Sequence, residues 1–148
     1  EELRKLPETE YSVEAPATRS PEDFEKEIWE VDEAGARRLL VAIDGSGYHP
    51  KDSRLRRCGF GVYWEPQHGW NRSCKLTGPH QVVPRAELAA LLEVMRMTDI
   101  PLRVPVDCAF VVDGYKRLRE GLSVAELDHQ DLWKLVKEEF SGIRLGGL

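Results

Sequence analysis

The feature that most constrains this chain is a change of hydrophobic period partway along it. Strand-like patterns fill the stretch from Leu39 to about residue 76, and helical spacing takes over at Pro84. Leu39-Leu40-Val41-Ala42-Ile43 is a continuous apolar run, as a strand covered on both faces requires, and it stops at the turn signal Asp44-Gly45-Ser46-Gly47. Cys58 to Trp64 alternates large and small residues, a second strand. After the turn Pro66-Gln67-His68-Gly69, Trp70 to Leu76 makes a third. Links this turn-like predict an antiparallel meander.

From Pro84 to Met97, Leu88, Leu91, Leu92 and Met95 fall at i, i+3, i+4 and i+7, a helix with one buried stripe and proline in its first turn. Leu102 to Val106 reads as a fourth strand; reached through a helix, it is able to lie parallel to the first. Pro105 inside it cannot donate to a ladder, which favours an edge or a distorted pairing. A second helix carries Val111, Tyr115 and Leu118 on one face and stops at Gly121. A third opens at Asp128-His129-Gln130-Asp131, with Asp128 as cap inside a Leu127–Leu132 staple, and runs to about Phe140 before Gly142 closes it. Ile143-Arg144-Leu145 begins a fifth strand. The order β-β-β-α-β-α-α-β predicts an α/β fold: a mixed five-stranded sheet, three antiparallel strands then parallel ones, flanked by helices.

A chain of 148 residues supports one core of ordinary size and not two. With 41% apolar and 32% charged residues it has the profile of a soluble globular domain, and its longest apolar runs fall far short of the roughly 20 residues a bilayer requires. The net charge of −5 argues against a simple nucleic-acid binder, but the charge is unevenly spread. Residues 1–35 hold 12 acidic and 4 basic side chains, whereas the rest holds 17 basic and 14 acidic. Residues 1–37 are therefore expected to be an acidic linker with a short helix from Ser20 to about Glu30, and residues 38–148 the domain. Starting at Glu1, the chain reads as a piece of a longer polypeptide. Cys58, Cys74 and Cys108 show no C-x-x-C, which suggests reduced thiols in an intracellular protein. The four histidines have no zinc-site spacing.

Three acids stand at element boundaries. Asp44 follows the first strand, Glu87 lies in the first turn of the main helix, and Asp107 ends the fourth strand. If the first and fourth strands are neighbours, Asp44 and Asp107 emerge side by side and the helix start brings Glu87 over them. Three crowded carboxylates repel one another unless protons or cations neutralise them. Hard oxygen ligands suit Mg²⁺, or Mn²⁺, and two such ions about 4 Å apart activate a water and stabilise a leaving oxygen. Taken singly, each acid has an ordinary explanation: Asp44 as a turn former, Glu87 as a dipole-favourable acid, Asp107 as a helix cap. The loop Lys51–Arg57 and Arg85 are candidates to approach phosphates, and Gly45 and Gly47 permit close approach to the backbone, with Ser46 a hydroxyl between them. Trp64, Trp70 and Trp133 read as packing residues rather than base-stacking platforms.

The ordered set Ala42-Ile43-Asp44-Gly45-Ser46-Gly47, Cys58-Gly59-Phe60-Gly61-Val62, Val83-Pro84-Arg85-Ala86-Glu87-Leu88, Val106-Asp107-Cys108-Ala109-Phe110 and Asp131-Leu132-Trp133 resembles the type 1 ribonuclease H domain, of the kind attached to retroelement reverse transcriptases. The resemblance spans about residues 38–145. It implies hydrolysis of the RNA strand of an RNA–DNA hybrid by two divalent ions, with Asp44, Glu87 and Asp107 matching the first three acids of that family's metal site. Asp113, in Val112-Asp113-Gly114, competes for the third place, although Asp107 sets Phe110 and Gly114 on the family's aromatic and glycine positions. The family's fourth acid, its histidine loop and its last helix fall beyond Leu148, so the domain is expected to be truncated at its C-terminal end. The alternative is a catalytically impaired relative that binds nucleic acid or a protein. A sugar-kinase or actin-like ATPase also uses an Asp-Gly turn after its first strand, but needs two such domains.

Overall fold

The structure, a computed structural model, describes residues 29–31, 33–48, 57–64, 69–98, 101–140 and 145–146. In chain order its elements are β1 (Trp29–Val31), β2 (Arg37–Leu40), β3 (Ala42–Tyr48), β4 (Arg57–Tyr63), β5 (Arg72–Lys75), α1 (Val83–Met97), β6 (Leu102–Arg103), α2 (Ala109–Arg119), α3 (Gln130–Phe140) and β7 (Leu145–Gly146). The antiparallel meander is present: β3 pairs with β4, and β4 with β5. β2 and β6 run parallel, as a helical crossover permits.

The single five-stranded sheet is not what forms. The described strands make two ladders, β1-β2-β6-β7 and β3-β4-β5. The cause lies at Val41, where one extended segment changes partners. Before it, β2 bonds to β6; after it, β3 bonds to β4; Val41 itself donates its N–H to Arg103 O. The first strand also does not stop at Asp44 but continues through it to Tyr48. β6 is two residues long because prolines bracket it: Pro101 and Pro105 lack the N–H that would extend the ladder. It lies inside its ladder, between β2 and β7, rather than at an edge. Asp107 consequently sits on irregular backbone four residues past the strand.

The strand Trp29–Val31, paired with Arg37–Leu39, replaces the end of the expected N-terminal helix, and the expected boundary between residues 37 and 38 falls inside β2. Arg37 stacks over the Trp29 ring at 4.3 Å. Residues 1–28, most of the Lys51–Arg57 loop, the turn at 65–68 and the Gly142 stop lie outside the described residues.

The helix α1 is the centre of the core. A single buried stripe was expected, yet every residue from Arg85 to Met97 except Arg96 is buried. It packs on β3 and β4 with one side and on α2 and α3 with others. Leu88, Leu91, Leu92 and Met95 are fully enclosed, each worth roughly 1.5–3 kcal/mol in apolar burial. The polar positions that should have marked a wet side are buried too: Glu93 is held by Arg72 at 3.2 Å.

Both later helices are anchored locally. At the end of α2, Gly121 (φ 74°) donates to Leu118 O and Leu122 to Arg117 O, the paired bonds of a glycine-terminated helix. The α3 start differs from expectation. Asp128 is exposed and the helix begins at Gln130, after His129 at φ 65°. The Gln130 side chain donates back to Val124 O and Leu127 O, which closes the preceding turn in place of an aspartate cap. Trp133 is fully buried, and Trp64 and Trp70 meet edge-on in the core, 5.7 Å apart, as packing residues.

Candidate functional site

Alternation along β3 sorts its side chains onto two faces. Gly45 and Gly47 face α1: a Cβ on Gly45 would stand 3.0 Å from Glu87 Cγ and from the Glu87 N atom, and one on Gly47 would stand 3.3 Å from Val83 Cγ2. These glycines let α1 lie close against the strand. Asp44 and Ser46 are exposed on the opposite face, opposite Gly61 and Gly59 of β4. With Ser73 and Lys75 of β5 and the exposed Arg57 they line a groove of about 720 Å³. Glycine at 59 and 61 leaves that groove floored by bare backbone.

Glu87 reaches β3 from α1. It is the fifth helical residue, so it belongs to the second turn and not the first. The Gly45 N–H donates to its Oε1 at 2.9 Å. The side chain is buried, and burial pushes its carboxyl above the ordinary glutamate range. The Gly45 N–H opposes that rise, while the negative charges of Asp44 and Asp107 add to it. Asp44 and Asp107 thus lie within electrostatic reach of Glu87 from two other stretches of chain, and both are exposed. Asp113 stands exposed on α2, away from the strand end it resembled.

The three acids share a field without forming a ready chelate. Among the described residues, no three His, Cys, Asp or Glu side chains are grouped closely enough to hold a metal ion. Glu87 has one oxygen on a backbone donor, the Gly45 N–H. The donor set is hard oxygen throughout, which fits Mg²⁺ or Mn²⁺ and not a soft metal.

Arg85 is not where a phosphate ligand belongs. It is buried, 1% exposed, and forks onto Asp131 with Nη1–Oδ1 2.9 Å and Nη2–Oδ2 2.6 Å. Burial alone would raise the Asp131 carboxyl; the fork from Arg85 and the N–H groups of Leu132 and Asp131 itself reverse this, and it lies below the ordinary aspartate range. His129 Nδ1 stands 3.3 Å from Arg85 Nη1, and Phe110 meets both His129 and Trp133 edge-on at 5.7 Å. Sequence reasoning missed this cluster, although one signal was available. A cation in the first turn of a helix opposes the helix dipole and calls for an acid partner.

All three cysteines are free thiols, and no helix among the described residues is long and apolar enough to cross a membrane. No family model matches the chain, and no curated protein matches it in sequence. Solved structures do match. The solution structure of the PFV RNase H domain superposes with a TM-score of 0.52 and 22% identity, over 74% of this chain and 77% of that one. The crystal structure of the prototype foamy virus protease–reverse transcriptase gives 0.53 and 23%, over 74% of this chain and 17% of that much longer one. At these identities the likeness is one of fold.

Proposed function

Starting from a ribonuclease H-like fold, we propose that this chain cleaves the RNA strand of RNA–DNA hybrids, as a domain of a longer polypeptide. The observation that carries the reading is the 2.9 Å bond that holds Glu87 of α1 on Gly45, the neighbour of Asp44 in β3, with Asp44 and Asp107 both near enough for their charges to reach the Glu87 carboxyl. Such an arrangement is costly unless something positive arrives. Asp44, Glu87 and Asp107 are the residues that would hold divalent cations, Mg²⁺ or Mn²⁺. Bound there, the ions supply an activated water and charge stabilisation at the leaving oxygen of a phosphodiester.

The chain's own residues set the stage for this. Asp44 and Asp107 are both exposed, so their carboxylates are accessible to a ligand. Glu87 keeps one oxygen fixed on Gly45 and leaves the other free to coordinate. Ser46 lies two residues along the same face from Asp44, where its hydroxyl can meet a phosphate or a sugar hydroxyl. Gly45 and Arg85 hold the site's frame, through Glu87 and Asp131.

A second reading, a domain that binds nucleic acid without cutting it, is favoured by the lack of three closely grouped ligands among the described residues. One experiment separates the two. A labelled RNA–DNA hybrid is incubated with the protein and Mg²⁺, beside an Asp44→Asn control. Cleavage by the parent chain alone supports the nuclease. Equal cleavage by both removes Asp44 from the site, and binding without cleavage by either favours the second reading.

A further inference from the structure

We propose that Arg85 is a positioning residue: its fork onto Asp131 tethers the start of α1 from the side opposite Glu87 and so keeps the Glu87 carboxylate on Gly45. Its use rests on the nuclease reading above, but its geometry does not.

Arginine is an odd occupant of this position. It stands in the first turn of a helix whose cap, Val82, makes no side-chain bond, where the dipole disfavours a cation, and it is buried. A buried ion pair of this kind is often replaceable by apolar side chains with no loss of stability, so stability alone does not account for it. What a planar fork supplies is a fixed direction.

That direction matters because of the helix. At 3.6 residues per turn, Arg85 and Glu87 point about 200° apart around α1. One reaches α3 and the other reaches β3. Repulsion from Asp44 and Asp107 favours turning α1 so that Glu87 withdraws. Any such turn pulls Arg85 off Asp131. The same cluster also reaches the start of α2, close in sequence to Asp107. His129, beside Arg85, is met by Phe110, the second residue of α2, and Asp107 lies three residues before Phe110. Trp133 of α3 closes the group on the other side of Phe110. One cluster on α3 therefore holds the beginnings of both helices that carry or follow an acid.

The test uses the full chain and reads amide hydrogen exchange at Gly45, alongside hybrid cleavage in Mg²⁺. The variants are Asp131→Asn and Arg85→Lys, with Asp131→Ala as the severe case. The control is Glu139→Gln, which breaks a second ion pair between α1 and α3, Arg96–Glu139 at 3.3 Å. Breaking the fork should speed Gly45 exchange by about tenfold relative to the Leu91 amide, and the control should not. Cleavage should lose kcat with KM unchanged. Folded Asp131→Asn and Arg85→Lys proteins with parental Gly45 exchange would overturn the proposal, as would equal acceleration in Glu139→Gln. If Asp131→Ala does not fold, the other two variants decide. If the parent chain does not cleave, the nuclease reading fails while the exchange result still judges the tether.

Discussion

Gly45 and Glu87, 42 residues apart, are joined by one hydrogen bond of 2.9 Å and by the absence of a side chain between them. The bond holds the carboxylate, and the missing methyl lets the helix come near enough to make it.

Gly45→Ala should therefore do more than add a carbon. The new Cβ would lie 3.0 Å from two Glu87 atoms and 3.2 Å from Ala86 Cβ, so α1 must retreat. Overpacking of this sort costs about 1–3 kcal/mol. Urea denaturation should show a lowered midpoint with an unchanged slope, and hybrid cleavage should fall further than the lost stability explains.

Glu87 should leave a mark on the pH dependence of folding. Its folded carboxyl binds a proton more tightly than the unfolded one, so the folded state is favoured while it is protonated. Stability then declines as pH rises from the ordinary glutamate value, about 4.3, through the raised folded value. Glu87→Gln should abolish that decline. Above the window, Mg²⁺ should restore stability to the parent chain and not to the variant, through binding to the folded state alone. Denaturation midpoints across pH, with and without Mg²⁺, check both statements.

Asp131 should behave in the opposite sense. Its folded carboxyl lies below the ordinary value, so its contribution is complete above about 3.9 and is lost as pH falls through the lowered one. Acid unfolding of the parent should contain that limb, and Asp131→Asn should lack it. Asp131→Ala removes the carboxylate that a buried arginine forks onto and should cost about 3–5 kcal/mol at neutral pH, measured by chemical denaturation.

Gly114→Ala should be the most disruptive single methyl in α2. A Cβ there would sit 2.1 and 2.2 Å from ring carbons of the fully buried Trp133. The indole must move or the helix must shift, at the upper end of about 1–3 kcal/mol. A thermal melt and a red shift of tryptophan emission report the two routes.

Much of this architecture was legible in the sequence, for identifiable reasons. The alternation of Cys58 to Tyr63 carries a clear period of two, and Leu88, Leu91, Leu92 and Met95 carry a helical one. Gly121 announced the α2 stop by its chemistry, and Pro105 forecast trouble in the strand before Asp107. Other features left no local trace. The three residues of β1 are too few for a period, and their acidic surroundings read as a leader. The break at Val41 arises because two different strands compete for one segment, a tertiary fact. The buried all-round character of α1 was hidden by Arg85 and Glu93, which look like solvent positions until their partners Asp131 and Arg72 are known. The three acids could be named as candidates from their boundaries, but the contacts that Gly45 and Arg85 make could not. A pairing across 46 residues has no spacing signature.

The groove floored by Gly59 and Gly61 lies on the face of β3 and β4 turned away from α1. On the reading proposed above, a stiff polyanion would settle beside Asp44 on that face, and added salt should then slow its capture.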